Sequence, residues 1–250
     1  MVDVYINRRL TVAEELLTEA EVLERGSVVV VLAEPGAGKT TLLAEFGRIW
    51  GVKPVRASLF RQRAPAPANG PLIIDALDEA AKIDQSAMDH VIIKAQEGSN
   101  GRVIFASRSS EWEGARTHWI KECFGVDPII VRIEPFTAEE QKACFEVYFP
   151  GEDFGAFANQ VDRFELSPLL GNPQFLRLFA DSYMQSGRHF TSKSQIFGDA
   201  IERLAIEANA AAAVRRRPPT SEIVAIASDV MAKLLLAGSS GISIREQLLA

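Results

Sequence analysis

The stretch VVVVLAEPGAGKTTLLAEF, from Val28 to Phe46, decides how the rest of the 250-residue chain is read. Val28 to Leu32 is a run of five apolar residues, β-branched but for the last, as in a parallel strand buried on both faces. Ala33-Glu34-Pro35-Gly36-Ala37-Gly38 then breaks the run, and Lys39-Thr40-Thr41-Leu42-Leu43 restarts it as a helix. Strand, glycine loop, Lys-Thr and helix, in that order, form a phosphate-binding loop in its required context. Gly36 and Gly38 let backbone N–H groups approach an oligophosphate. The helix N-terminus adds partial positive charge, Lys39 reaches the β- and γ-phosphates, and the Thr40 hydroxyl can ligate Mg²⁺. The loop pattern has glycine where this chain has Ala33, which is tolerable provided φ there is negative.

Working outward, PLIIDALDEAA (Pro71 to Ala81) is the second informative stretch. Leu72-Ile73-Ile74 reads as another buried strand ending in Asp75, with Asp78 and Glu79 just beyond. Acids at the C-terminal end of a parallel strand sit where α/β sheets bind ligands. Beside a phosphate loop, one such carboxylate supports Mg²⁺ and another orients an attacking water, with Asp78 and Glu79 both candidates for the second role. A third strand, Arg102 to Ala106, delivers Ser107-Arg108-Ser109-Ser110, and a fourth runs from Ile129 to Ile133.

The rest is expected to be largely helical. Thr11 with Glu14 has the form of a capping box, predicting a helix from Thr11 to Arg25 that stops at Gly26. Further helices are expected over residues 40–50, 85–97 and 111–124, and over 137–148, which Thr137 and Glu140 cap. A short strand is expected near Pro54 to Ser58 and a turn over Gly98 to Gly101. Arg61 to Pro71 is a Pro/Gly-rich loop, and its basic residues Arg61 and Arg63, with Arg56 before it, read as solvated or, for one of the three, as a trans-acting arginine. Beyond Phe154 the pattern gives helices at 154–164, 173–186, 194–213 and 221–237. Arg215-Arg216-Arg217-Pro218-Pro219 reads as a solvated break. The end, Ile244 to Ala250, reads as an amphipathic start without a cap, so a longer natural chain is expected.

Composition bounds the function. With 47% hydrophobic and 24% charged residues the chain is expected to be globular, and a net charge of −6 argues against coating nucleic acid. No apolar run is long enough to span a membrane, and MVDVYINRRL lacks the core of a secretory signal, so the expected compartment is the cytoplasm. Cys123 and Cys144 stand apart and read as reduced thiols; His90, His118 and His189 share no motif.

Four features together resemble the NACHT-like group of STAND ATPases, close to the bacterial antiviral branch (Avs). They are the loop AEPGAGKTT, the acidic strand end LIIDALDE, the strand-end Ser-Arg of ASRSSEW, and the helical segment GNPQFLRLFAD from Gly171 to Asp181. The lead YINRRL also looks like the segment preceding the core in that group. The resemblance implies an α/β fold: a P-loop NTPase with a five-stranded parallel sheet of AAA-like type, then an all-α helical lid and the start of a winged helix. The expected division is a lead at 1–25, the ATPase core at 26–135, the lid at 136–213 and the winged helix from 214 to 250. It implies ATP and ADP with Mg²⁺ as ligands, bound by residues 34–41 and by Pro173 against adenine, with Thr40 and Asp75 serving the metal. It also implies that the Arg108 strand lies between the loop strand and the Asp75 strand, so that Arg108 senses the γ-phosphate. The function implied is a switch that forms a homo-oligomer on activation, with trigger and effector parts outside this chain.

Other functions weigh less. There is no Asn-Lys-x-Asp element for guanine and no LSGG-like transporter signature. A small-molecule kinase fits DxxDE with a strand-end arginine less well than water activation does, and the acidic triad argues against a scaffold that never hydrolyses. The alternative that stands is an AAA-like motor or loader acting on DNA.

Overall fold

The computed structural model describes residues 5–62, 70–81, 85–211 and 219–236. Among them are seven strands, β1 (Leu10–Val12), β2 (Glu15–Leu17), β3 (Val28–Ala33), β4 (Val55–Arg56), β5 (Gly70–Asp75), β6 (Ser99–Arg108) and β7 (Ile129–Ile133). They form one sheet in the order β2-β1-β7-β3-β6-β5-β4. The ladders from β7 to β4 are parallel, and β1 pairs antiparallel with both β2 and β7. The sheet is therefore mixed and seven-stranded, where five parallel strands were expected.

β3 is buried at all six positions because both faces of the sheet are covered. Val28, Val30 and Leu32 pack on one side with Leu77, Val91, Ile92 and Ile120. These come from helices α4 (Leu77–Ala81), α5 (Gln85–Gly98) and α6 (Gly114–Phe124). Val29 and Val31 pack on the other side with Val22, Leu42, Leu43 and Phe46, from α1 (Glu19–Arg25) and α2 (Lys39–Trp50). Period-two alternation thus feeds two apolar layers. Between β4 and β5 the chain forms α3 (Ala57–Gln62), so the strand expected near Pro54 to Ser58 is two residues long.

The lead departs from expectation. No helix starts at Thr11; β1 and β2 form a hairpin whose turn residues Ala13 and Glu14 have φ of 48° and 73°. Positive φ at both positions matches the twist of a two-residue hairpin. The Thr11 hydroxyl bonds the Glu134 carboxylate beside the β1–β7 ladder, leaving no cap. The cap is Thr18 with Glu21, which opens α1. Likewise β6 begins at Ser99, inside the expected turn, and a 3₁₀ turn at Ser109–Glu111 precedes α6.

The chain divides into two compact units, the described parts of 1–154 with 167–177 and of 155–166 with 178–250. The first holds the sheet and α7 (Ala138–Tyr148), opened by the capping box of Thr137 and Glu140. Two helices contribute to both units, α8 (Phe154–Asp162) and α9 (Pro173–Gln185); α10 (Lys193–Ala211) and α11 (Thr220–Leu236) belong to the second. In the second unit the Tyr183 ring meets Phe157 and Phe190 edge to face, with centroids 5.5 and 5.7 Å apart. Of the region expected to begin a winged helix, the described residues form only α11. Arg63, Arg215 to Pro218 and Ile244 to Ala250 lie outside the described residues. Among the described residues no helix is long and apolar enough to cross a membrane.

Candidate functional site

The loop between β3 and α2 turns on Gly36 and Gly38, with φ of 78° and 88°. A side chain would be strained at either. Ala33 is absent from the positive-φ residues and ends β3 as ordinary strand, so the missing glycine is accommodated. The Ala37 N–H donates to the Glu34 carbonyl at 3.2 Å and closes the turn. Gly38 takes the N-cap position of α2, and no side chain caps that helix. Its first-turn amides therefore face outward as an anion-binding end.

β6 lies between β3 and β5, with Ala33 in register with Arg108. The loop, the Arg108 end of β6 and the Asp75 end of β5 thus share one edge of the sheet. They line a cavity of about 360 Å³ that includes Glu34, Pro35, Gly36, Gly38, Lys39, Thr40, Thr41, Asp75, Asp78, Glu79 and Arg108. Lys39 Nζ donates to the Ser107 carbonyl at 2.8 Å. Burial lowers the Lys39 pKa from its ordinary value, and the charges of Asp78 and Asp75 oppose that shift. Thr40 Oγ1 donates to Asp75 Oδ2 at 3.0 Å, while Asp75 Oδ1 accepts the Ala76 N–H at 2.8 Å. Arg108 Nε pairs with Asp78 Oδ2 at 3.2 Å, the carboxylate being almost wholly buried. Glu79, next along the chain, is exposed.

The charged lining is Glu34, Asp75, Asp78 and Glu79 against Lys39, Arg56 and Arg108, four acids to three bases. A polyphosphate needs this balance reversed, and a divalent cation does so. The Thr40 hydroxyl and Asp75 carboxylate, already side by side, are the hard oxygen donors that Mg²⁺ takes. No group of three or more metal-ligating side chains occurs among the described residues.

Two of the expected binding residues lie outside this cavity. Ala37 lines a neighbouring cavity of about 520 Å³ with Leu169, Asn172 and Phe175. Pro173 lines a third, of about 80 Å³, with Tyr5, Thr41 and Tyr148. Ligand pockets run to ~300–1,000 Å³, so the Pro173 cavity must open to hold a base. Arg8 lines both neighbours and is 6% exposed. It lies over the Phe136 ring at 4.1 Å and donates from Nη2 to the Glu134 carbonyl at 2.8 Å, while its Nε has no hydrogen-bond partner. Burial lowers its pKa. This buried cation lies under Gly38, where an added Cβ would stand 3.3 Å from its Nη1.

Three residues of the site escape a reading of the sequence: Arg8, Arg56 and Asn172. Arg56, whose sequence context reads as solvated or trans-acting, ends β4 in register with Asp75 and joins the cavity. The signal available was its place at a strand's C-terminal end. Ala76, between Asp75 and α4, has φ of 57°. Replacing it with glycine should remove ~1–2 kcal/mol of left-handed strain, less ~0.4–1 kcal/mol for the freer unfolded chain, for a net gain of about 0.5–1 kcal/mol. Urea unfolding checks this, and a lower midpoint for Ala76→Gly would refute it.

A glycine loop on a buried strand, an uncapped helix behind it and an acid-tipped strand two places along define an α/β phosphate-loop site. No protein-family model and no curated protein matches the sequence. Solved structures do resemble the chain. A katanin structure concerned with self-assembly is 14% identical, at TM-score 0.42, over 67% of this chain and 61% of its own. The Thermotoga maritima RuvB Holliday junction branch migration motor is 17% identical, at TM-score 0.42, over 75% of this chain and 66% of its own. Domain III of the Thermotoga maritima replication initiation protein DnaA is 14% identical, at TM-score 0.44, over 72% and 87%. The chain spans less than two thirds of the katanin and RuvB chains. The site's chemistry is read from its own residues.

Proposed function

We propose that this chain binds ATP and ADP with Mg²⁺, hydrolyses ATP slowly, and acts as a STAND-type switch whose nucleotide state controls homo-oligomerisation in prokaryotic defence or signalling. The observation that carries the nucleotide reading is the single cavity in which Gly36, Gly38, Lys39, Thr40, Asp75 and Arg108 converge. The switch reading rests on the sequence resemblance. The loop and first-turn amides of α2 hold the phosphates, and Lys39 turns from the Ser107 carbonyl to the β- and γ-oxygens. Mg²⁺, on Thr40 and supported by Asp75, supplies charge neutralisation on those oxygens. Burial divides the labour of the two acids. Asp78 is occupied by Arg108 and positions that guanidinium, whereas Glu79 stands exposed and polarises the attacking water. Arg108 senses the γ-phosphate.

Calorimetry with Mg-ATP, ADP and GTP, together with phosphate release and light scattering, tests this reading. ATP and ADP should bind in preference to GTP, phosphate should appear slowly, and mass should rise with ATP. Absence of nucleotide binding would refute it, and turnover stimulated by DNA would favour the loader. Pro173→Ala should weaken ATP and ADP alike if Pro173 packs on adenine. Unchanged affinity in Pro173→Ala with loss in Phe175→Ala would move the base to the 520 Å³ cavity.

A further inference from the structure

Asn172 bonds in two directions at once. Its Nδ2 donates to the Pro35 carbonyl at 2.9 Å, and its Oδ1 accepts the Gln174 N–H at 3.0 Å at the start of α9. The orientation of the amide is forced, because a flipped group would set oxygen against the Pro35 oxygen and NH₂ against an N–H. Asn172 is itself firmly held. Its N–H donates to the Leu169 carbonyl at 3.1 Å, and the carbonyl of the buried Gly171 accepts the Phe136 N–H at 2.8 Å. A Cβ at Gly171 would come within 2.9 Å of Pro135, so this turn is packed against the end of β7.

The peptide joining Pro35 to Gly36 is planar and trans, so its C=O and N–H point in opposite directions. Asn172 lies in the neighbouring cavity, while Gly36 lines the cavity of Lys39 and Thr40. With the Pro35 oxygen drawn towards Asn172, the Gly36 N–H points away from Asn172. The outer face of the loop is also filled. A Cβ on Gly36 would stand 2.3 Å from Gln174 Oε1 and 2.8 Å from Asn172 Oδ1.

We infer that Asn172 is a positioning residue of the phosphate loop, fixing the 35–36 peptide so that the Gly36 N–H is presented to a bound di- or triphosphate. This rests on the nucleotide reading above and adds to it a device that prepares the loop before any ligand arrives. Pre-setting a donor in this way removes a reorganisation cost from binding.

The test compares Asn172→Ser with the native protein, using inorganic pyrophosphate and ADP as probes in calorimetry. Serine caps a helix as well as asparagine does, is uncharged, and is too short to reach the Pro35 carbonyl. Both probes should bind about tenfold more weakly, in equal measure, as expected for one lost orienting hydrogen bond. The thermal midpoint should fall by only ~2–4 °C, the share of one hydrogen bond. Asn172→Ala, which loses the cap as well, should show the same weakening and a lower midpoint still. In amide NMR of the ligand-free protein, the Gly36 resonance should shift in both variants. Asn172→Ser binding both probes within about twofold of native, where the native protein binds them, would overturn the positioning role alone. A native protein that binds neither would overturn the nucleotide reading and this inference with it.

Discussion

Lys39→Ala should give no measurable heat with Mg-ATP or ADP while remaining folded. Folding loses little. Among the described residues the ammonium bonds the Ser107 carbonyl, a charge-assisted bond that contributes ~1.5–3 kcal/mol, and removing it also removes the cost of burying the charge. Binding loses much more. Without Lys39 the charged lining becomes four acids against Arg56 and Arg108, and the phosphates forfeit their charge-assisted donor. Such donors contribute ~1.5–3 kcal/mol per bond, so losing two costs affinity roughly 10² or more. Circular dichroism and the thermal midpoint report folding, and calorimetry reports binding. A folded variant that retained near-native ATP affinity would remove the phosphate loop from the proposed function.

Glu79→Gln should leave ATP binding nearly intact and slow single-turnover hydrolysis by ~10² or more, since positioning and electrostatics dominate phosphoryl transfer. The substitution keeps the shape of an exposed side chain and removes the charge that polarises water. Asp78→Asn should behave differently, because the Asp78 carboxylate is nearly buried against Arg108. It frees the guanidinium, so it should resemble Arg108→Ala, with selectively weaker ATP, unaltered ADP and a secondary loss of rate. Asp75→Ala should weaken Mg-ATP and lower turnover together, since Thr40 loses its partner. The measurements are ATP and ADP affinities and a single-turnover rate for each variant. If Arg108→Ala weakened both nucleotides equally, the ion pair with Asp78 would be structural. If Asp78→Asn alone abolished turnover, the roles of the two acids would be exchanged.

Local chemistry made the centre of the molecule legible. Val28 to Ala33 and Lys39 to Trp50 form the strand and helix that their residues specify, and Gly51 ends α2 at φ of 69°. Ile129 to Ile133 and the Thr137–Glu140 cap follow their patterns equally closely. Long-range partners decided the rest. Thr11–Glu14 and Thr18–Glu21 have the same spacing, and pairing of β1 with the distant β7 selected the second. Asn172 stands in a turn whose meaning depends on a carbonyl 137 residues away. Asp78 and Glu79 both fall in the first turn of α4, and only the packing of Arg108 separates them. A strand of two residues leaves almost no periodicity, which hid Arg56.

The sheet ends on one side in the three-residue β2 and on the other in the two-residue β4. Open margins are where foreign chains add themselves, and short ones give them few backbone partners. The described sheet is thus a poor template for amyloid-like or domain-swapped growth. A second copy would find few backbone hydrogen-bond partners at either margin.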